Sequence, residues 1–347
     1  MFKILSIDGG GIRGIIPAKI LSLIEEKLNQ EGKENQICDY FDLICGTSTG
    51  GIIAIGLALG MRASDILSLY KDKAEKIFPK KYGKFWRLLL NRPYYDHTAL
   101  KKELTAAYGE VDDEAVRMGH CRTRLCIPVY DVNEGCMHVF KTPHHKDYSR
   151  DYQIPAVDVA LATSAAPFYF DSYDFDYKRS DNGKECGYKS LVDGGIFANN
   201  PCVIGYVEAV RALRVPAEEL AILSLGTGDC MYKDTPQRMG GRYWVKNKKG
   251  FVPIYDLLSS SQAAYTDNIM KFLQKGCGND GKEIFPYFRI QHKFDSKCVV
   301  NMDASGSDSL RTLENIGNQL YNVGGLGEKL KLFFSDYKND YVPSRTL

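Results

Sequence analysis

Ser48 lies in Gly46-Thr47-Ser48-Thr49-Gly50, directly after the apolar run Phe41-Asp42-Leu43-Ile44-Cys45 and directly before Gly51-Ile52-Ile53-Ala54-Ile55. A G-x-S-x-G pentapeptide between a strand and a helix has the form of a nucleophile elbow. Its glycines admit the sharp turn that lifts the serine above a sheet, and the helix behind it aims N–H groups and a positive dipole end at the same spot. Ester attack is the chemistry such a serine can do; an ordinary turn of small residues is the alternative. A base for it is offered by Leu191-Val192-Asp193-Gly194-Gly195, where Asp193 ends a short apolar strand, although Asp before Gly-Gly is also common in plain turns. The third candidate is Gly9-x-Gly11-x-x-Gly14, between a strand and a helix. Its spacing satisfies the dinucleotide fingerprint, but the acidic residue expected about 20 positions on falls at Glu34, inside a polar stretch and not at a strand end. A structural tight turn is a second reading. The third is a nest of Gly9, Gly10 and Gly11 amides that binds an anion, which beside Ser48 would be an oxyanion hole.

The elements that must position these residues follow from hydrophobic periodicity. Short apolar runs alternate with helical patterns, which predicts an α/β fold with a largely parallel sheet. Strands are expected at Lys3–Ile7, Leu43–Cys45, Leu125–Tyr130, Ser190–Val192 and Ala221–Leu225, and helices at Ile15–Leu28, Ile52–Met61, Val157–Thr163 and Val203–Leu213. Composition is that of a soluble globular chain: 347 residues, 44% hydrophobic, 25% charged, net charge +2. That charge gives no global attraction to DNA or RNA. The first apolar stretch is too short for a signal peptide and no run approaches the ~18 residues of a membrane span, so a cytoplasmic protein is expected. Ten cysteines without a C-x-x-C pair read as reduced thiols, and no metal-ligand spacing is present.

Taken together, Asp8-Gly9-Gly10-Gly11-Ile12-Arg13-Gly14, Gly46-Thr47-Ser48-Thr49-Gly50, Ala162-Thr163-Ser164-Ala165-Ala166-Pro167, Asp193-Gly194-Gly195-Ile196-Phe197-Ala198-Asn199-Asn200-Pro201 and Leu223-Ser224-Leu225-Gly226-Thr227-Gly228 stand in the order seen in patatin-like phospholipases. The resemblance covers residues 1–229. It implies a three-layer α/β/α fold, no cofactor, and a serine–aspartate dyad without histidine: Ser48 as nucleophile, Asp193 as base, and an oxyanion hole built from Gly9, Gly10, Gly11 and Arg13. Gly14, Gly46, Gly50 and Gly194 would support those turns. A carboxylate in a partly desolvated site is basic enough for the task. The rival is a triad completed by His292, because Ser, Asp, His is the chain order of α/β-hydrolases. Ser164 is assigned no chemistry.

The chain reads as one domain, with residues 230–347 an extension packed on the core. Lys71, Lys73, Lys76, Lys80, Lys81, Lys84, Arg87 and Arg92 interleave with Phe78, Tyr82, Phe85, Trp86, Leu88, Leu89, Leu90, Tyr94 and Tyr95, the composition of a segment that lies on an anionic membrane. A solvated helix followed by core aromatics is the alternative. Membrane phospholipids, reached peripherally at the inner membrane, are the expected substrates. The short N-terminus and motif forms resemble bacterial patatin-like enzymes, including the CapV type that acts in cyclic-oligonucleotide antiphage defence. That resemblance implies a cyclic dinucleotide activator, for which Arg238, Arg242, Tyr243 and Trp244 supply charge and stacking surface. A homo-oligomer is compatible with this reading, and a nonhydrolytic nucleotide- or lipid-binding protein is the alternative of another class.

Overall fold

The computed structural model describes residues 1–33, 35–79, 90, 92–230, 240, 243, 244, 246, 247, 250, 251, 253–276, 282–295, 299–323 and 326–347. β1 (Phe2–Ile7) sends Ile4 into one apolar cluster and Leu5 and Ile7 into another, so it is buried on both faces. This is the habit of a parallel strand covered by helices on either side. α1 (Ile15–Gln30) buries Ile16, Ile20, Ile24 and Leu28 at helical spacing. β2 (Leu43–Gly46) and α2 (Thr49–Ala58) are buried at every position. An all-round apolar helix belongs at the centre of a fold, and α2 runs back beneath the elbow.

The chain continues through α3 (Ala63–Ile77), α4 (Thr98–Tyr108), β3 (Arg124–Asp131), β4 (Cys136–Lys141), α5 (Ala156–Thr163), β5 (Tyr173–Lys178), β6 (Glu185–Asp193), α6 (Cys202–Val207) and β7 (Leu220–Leu225). It ends with α7 (Pro253–Lys275), β8 (Tyr287–Ile290), α8 (Ser307–Asn322) and α9 (Leu326–Phe334). The central sheet has eight strands in the order β8-β7-β1-β2-β3-β6-β5, with β4 also paired to β3. From β8 to β3 every pair is parallel; β4, β6 and β5 join antiparallel.

Three elements differ from the sequence reading. β6 begins at Glu185 rather than Ser190, because an antiparallel strand with one wet face alternates exposed and half-buried residues and offers no apolar run. The helix expected over Val203–Leu213 is α6 followed by a π-helical turn, Glu208–Ala212. At that turn the buried Glu208 accepts hydrogen bonds from Lys141, Tyr148 (2.6 Å) and His144 (3.0 Å). Finally, residues 230–347 do more than pack on the core: β8 completes the sheet, in register with β7 from Tyr287–Ile222 to Ile290–Leu225. Cys38, Cys45, Cys126 and Cys202 are free and buried.

Candidate active site

Parallel neighbours deliver their following loops to the same end of a sheet. β1 and β2 pair with Ile7 opposite Gly46, so the glycine loop after β1 and the elbow after β2 emerge side by side. Ser48 caps α2 with φ 55° and ψ −125°, in the positive-φ region that a nucleophile elbow imposes on a non-glycine residue. Its amide donates to Thr163 Oγ1 (3.1 Å), and the Thr163 hydroxyl donates to the Pro128 carbonyl (2.7 Å), which ties the elbow to β3. Gly46 and Gly50 face each other across the turn, and Gly14 lies against Thr49.

Asp193 reaches the same place from the opposite direction. β6 runs antiparallel to β3 with Asp193 opposite Val129 near the end of β3, so its last side chain is brought back to the elbow. The turn that follows has no space for a side chain at Gly194, where a Cβ would lie 2.3 Å from the Pro128 carbonyl oxygen. Asp193 is fully buried. One carboxylate oxygen accepts the Gly195 N–H at 2.7 Å; the other, Oδ2, has no close hydrogen-bond partner. Burial pushes the carboxyl up to about 6, opposed by the Ser48 hydroxyl, the Gly195 amide and the Tyr255 hydroxyl. A carboxylate so placed holds an open lone pair and a basicity suited to taking a serine proton.

The glycine loop divides its amides. Gly9 donates to the Asn199 carbonyl (3.0 Å) and Ile12 to the Met302 carbonyl (2.8 Å), whereas the Gly10 and Gly11 N–H groups have no acceptor among the described residues. Of the glycines expected at the hole, Gly10 and Gly11 are the two whose amides stay unengaged among the described residues. Gly9 serves instead by closeness, since a Cβ there would stand 3.1 Å from Ser48 Cβ. Arg13, expected at the hole, has a buried guanidinium that pairs with Asp256 (3.1 Å) and donates from Nε to the Gly10 carbonyl (3.4 Å), contacts that brace the loop. Behind the loop, Asp8 is held by both guanidinium nitrogens of Arg289, at 3.2 and 2.6 Å. Burial pushes the Asp8 carboxyl up to about 6 and the arginine opposes it.

Ser48 opens into a cavity lined by Gly10, Gly11 and apolar side chains that include Ile52, Ile77, Phe78, Leu100, Phe170 and Met302. That lining has the character of a site for an apolar ligand. Among the described residues no histidine lines it. His292 sits on the strand β8 side, half-buried edge-on to Phe294 and outside the cavity. Ser164 lines the cavity but donates its hydroxyl to the Ala160 carbonyl (2.7 Å).

Residues 5–205 match the family described as patatin-like phospholipase. The chain belongs to that family. It is 31% identical over 352 residues to the cGAMP-activated phospholipase of Escherichia coli (strain TW11681), covering 96% of this chain and 92% of the relative. It is 30% identical to the cGAMP-activated phospholipase of Vibrio cholerae serotype O1, covering 92% and 90%. Patatin-like protein 1 of Oryza sativa subsp. indica matches at 31%, covering 91% and 80%.

Residues outside the motif core fared differently. Lys71 pairs with Glu314 (2.9 Å), and Lys73 and Lys76 pair with Glu103 (3.2 and 3.6 Å), so these lysines are partly neutralised by neighbouring helices. Tyr94 and Tyr95 are buried in the main core and Phe78 stacks edge-on to Tyr95, which is the core-aromatic alternative for that part of the stretch. Lys80, Lys81, Tyr82, Lys84, Phe85, Trp86, Arg87, Leu88 and Leu89 lie outside the described residues, as do Arg238 and Arg242. Tyr243 and Trp244 stand edge-to-face at 5.2 Å. No described helix is long and apolar enough to cross a membrane.

Sequence reasoning missed Thr163 as the tether of the elbow, and it missed Arg289, Tyr255 and Asp256 altogether. A lone arginine inside the apolar strand Tyr287–Ile290 was the available signal, because a charge in a buried strand requires a partner.

Proposed function

We propose that the protein hydrolyses the acyl esters of membrane phospholipids through a Ser48–Asp193 dyad. The observation that carries this reading is that the strained Ser48 and the Gly10 and Gly11 amides, unengaged among the described residues, line one apolar cavity, with the buried Asp193 carboxylate facing the Ser48 hydroxyl. As Ser48 Oγ attacks the ester carbonyl, its proton passes to Asp193, and the developing oxyanion accepts from the Gly10 and Gly11 N–H groups. Collapse breaks the bond to the lysolipid oxygen, which takes the proton back from Asp193. The acyl chain stays in the cavity until a water, deprotonated by Asp193, attacks the acyl-enzyme; the bond to Ser48 Oγ breaks, that oxygen takes the proton back from Asp193, and a fatty acid is released. None of these steps calls on a metal or cofactor.

Regulation is the second part of the proposal. The relatives named as cGAMP-activated match nearly the whole length of this chain, which supports activation by a cyclic dinucleotide here too. A hundredfold activation requires ~2.7 kcal/mol of preference for the active state.

The test is hydrolysis of phospholipid and of a generic acyl ester, with and without a panel of cyclic di- and trinucleotides, and calorimetry alongside. Ser48→Ala should lose all turnover at unchanged melting while His292→Ala keeps most of it. Equal turnover in Ser48→Ala and wild type would remove Ser48 as the nucleophile, and no turnover by wild type under any of these conditions would return the protein to the class of nonhydrolytic binders. Full basal activity with no binding by any member of the panel would remove the regulatory part alone.

A further inference from the structure

α3 runs antiparallel to α2, because Ile66 lies against Gly56 near the end of α2 and Tyr70 against Thr49 at its start. A Cβ on Gly56 would stand 3.1 Å from Ile66 Cδ1, and the Tyr70 hydroxyl donates to the Thr49 carbonyl at 3.1 Å. α3 therefore passes the elbow at Tyr70 and continues about two turns beyond it. Tyr70, Ala74, Ile77 and Phe78 recur at helical spacing, and all four line the cavity that holds Ser48. Both ends of this stretch are fastened. Tyr70 is bonded to the residue after the nucleophile, and the Phe78 carbonyl accepts the Ser305 hydroxyl at 2.7 Å. On the outer face Lys73 and Lys76 pair with Glu103 of α4, the helix that brings Leu100 to the same cavity.

The chemistry of this wall selects what lies along it. Ala74, Ile77, Phe78, Leu100 and Phe170 carry no polar side-chain atom, and the hydroxyls of Tyr70 and Ser164 are spent on the Thr49 and Ala160 carbonyls. A phosphate or glycerol placed there would be desolvated without a partner, whereas a hydrocarbon chain gains by leaving water. Ala74, 1% exposed, is the smallest of the four α3 residues at the cavity. We infer that residues 70–78 form the wall along which the acyl chain lies, and that Ala74 is the position that determines how long a chain passes. The inference rests on the dyad reading above and deepens it by naming the residue that selects acyl length. At ~1.5 Å per residue, Ala74 stands ~6 Å and Phe78 ~12 Å past Tyr70 along the helix axis. An extended chain advances ~1.2 Å per single bond, so a hydrocarbon that starts at Ser48 reaches Ala74 after about five bonds. A butyryl group ends short of Ala74; an octanoyl group passes it.

The experiment measures kcat/KM on p-nitrophenyl butyrate and p-nitrophenyl octanoate, each below its micelle concentration and with cGAMP present. It compares full-length wild type, Ser48→Ala, Ala74→Val and Ala74→Leu, and records the melting of each. The readout is the octanoate-to-butyrate ratio within one preparation. A loss of folded protein or of dyad alignment lowers both esters alike, so neither imitates a change in the ratio. The ratio is expected to fall in the order Ala, Val, Leu, by about tenfold or more at leucine, because two or three methylenes lose their burial at about fourfold each. Ala74→Val adds only two methyl groups and reads the same shift if the leucine variant does not fold. A ratio that stays level or rises in the folded variants overturns the assignment of Ala74. Undiminished hydrolysis in Ser48→Ala overturns instead the dyad reading on which it stands.

Discussion

Replacing Asp193 by Asn should abolish activity and make the protein more stable. Burial shifts the carboxyl from its ordinary 3.8 to about 6, and this gap of about two pH units is worth about 3 kcal/mol at about 1.4 kcal/mol per unit. Because the folded-state value is raised, the folded protein holds this proton more tightly than the unfolded chain. Stability from this group is therefore present below about pH 4 and is lost as pH rises toward 6. Asparagine is nearly isosteric, still accepts the Gly195 N–H through its carbonyl oxygen, and never ionises. Asp193→Asn should thus gain up to about 3 kcal/mol over wild type at pH 7 to 8 and almost nothing at pH 4. Urea unfolding at a series of pH values, read as the difference between the two proteins, cancels the other buried carboxyls. A variant no more stable than wild type at pH 8, or a gain that does not shrink between pH 6 and pH 4, would refute the account of Asp193 as a base held under desolvation.

Gly194→Ala places a methyl 2.3 Å from the Pro128 carbonyl, and the forced shift of β3 against the Asp193 turn should cost about 1–3 kcal/mol and most of the turnover, read by melting and ester assay. Arg289→Met leaves Asp8 buried without its partner, for an expected loss of about 3–5 kcal/mol at neutral pH that shrinks toward pH 5 as Asp8 takes up a proton, measured by urea unfolding. Binding to vesicles, followed by sedimentation, should rise with anionic lipid and fall as salt goes from 0.1 M to 1 M, which shortens screening from ~10 to ~3 Å; equal binding at both would exclude a surface role for the basic stretch that begins at Lys71.

The parts of the site written into the backbone were legible in the sequence. Gly46, Gly50 and Gly194 are required by local contacts, so turn chemistry alone points to Ser48 and Asp193. The parallel strands were legible for the same reason: burial on both faces leaves unbroken apolar runs at Lys3–Ile7 and Ala221–Leu225. What depends on long-range meeting was not. Gly9 belongs to the same glycine run as Gly10 and Gly11, and only the position of the Asn199 carbonyl removes its amide from the hole. Arg13 looks like an oxyanion charge until α7 supplies Asp256. β8 is short, Tyr-Phe-Arg-Ile, and its lone arginine signals a need for a partner without anything local naming Asp8 as that partner.

That crossing spans 281 positions, from the first strand of the sheet to its last. During synthesis at ~5–20 residues per second, the glycine loop therefore waits roughly 15–60 s for the guanidinium that holds its leading aspartate. The nucleophile and its elbow leave the ribosome early, while the strand and helix that brace the oxyanion loop leave late. A nascent chain thus carries Ser48 on an unfinished scaffold until Arg289 has been made. On the proposed reading, the order of the strands acts as a delay between making the serine and arming it.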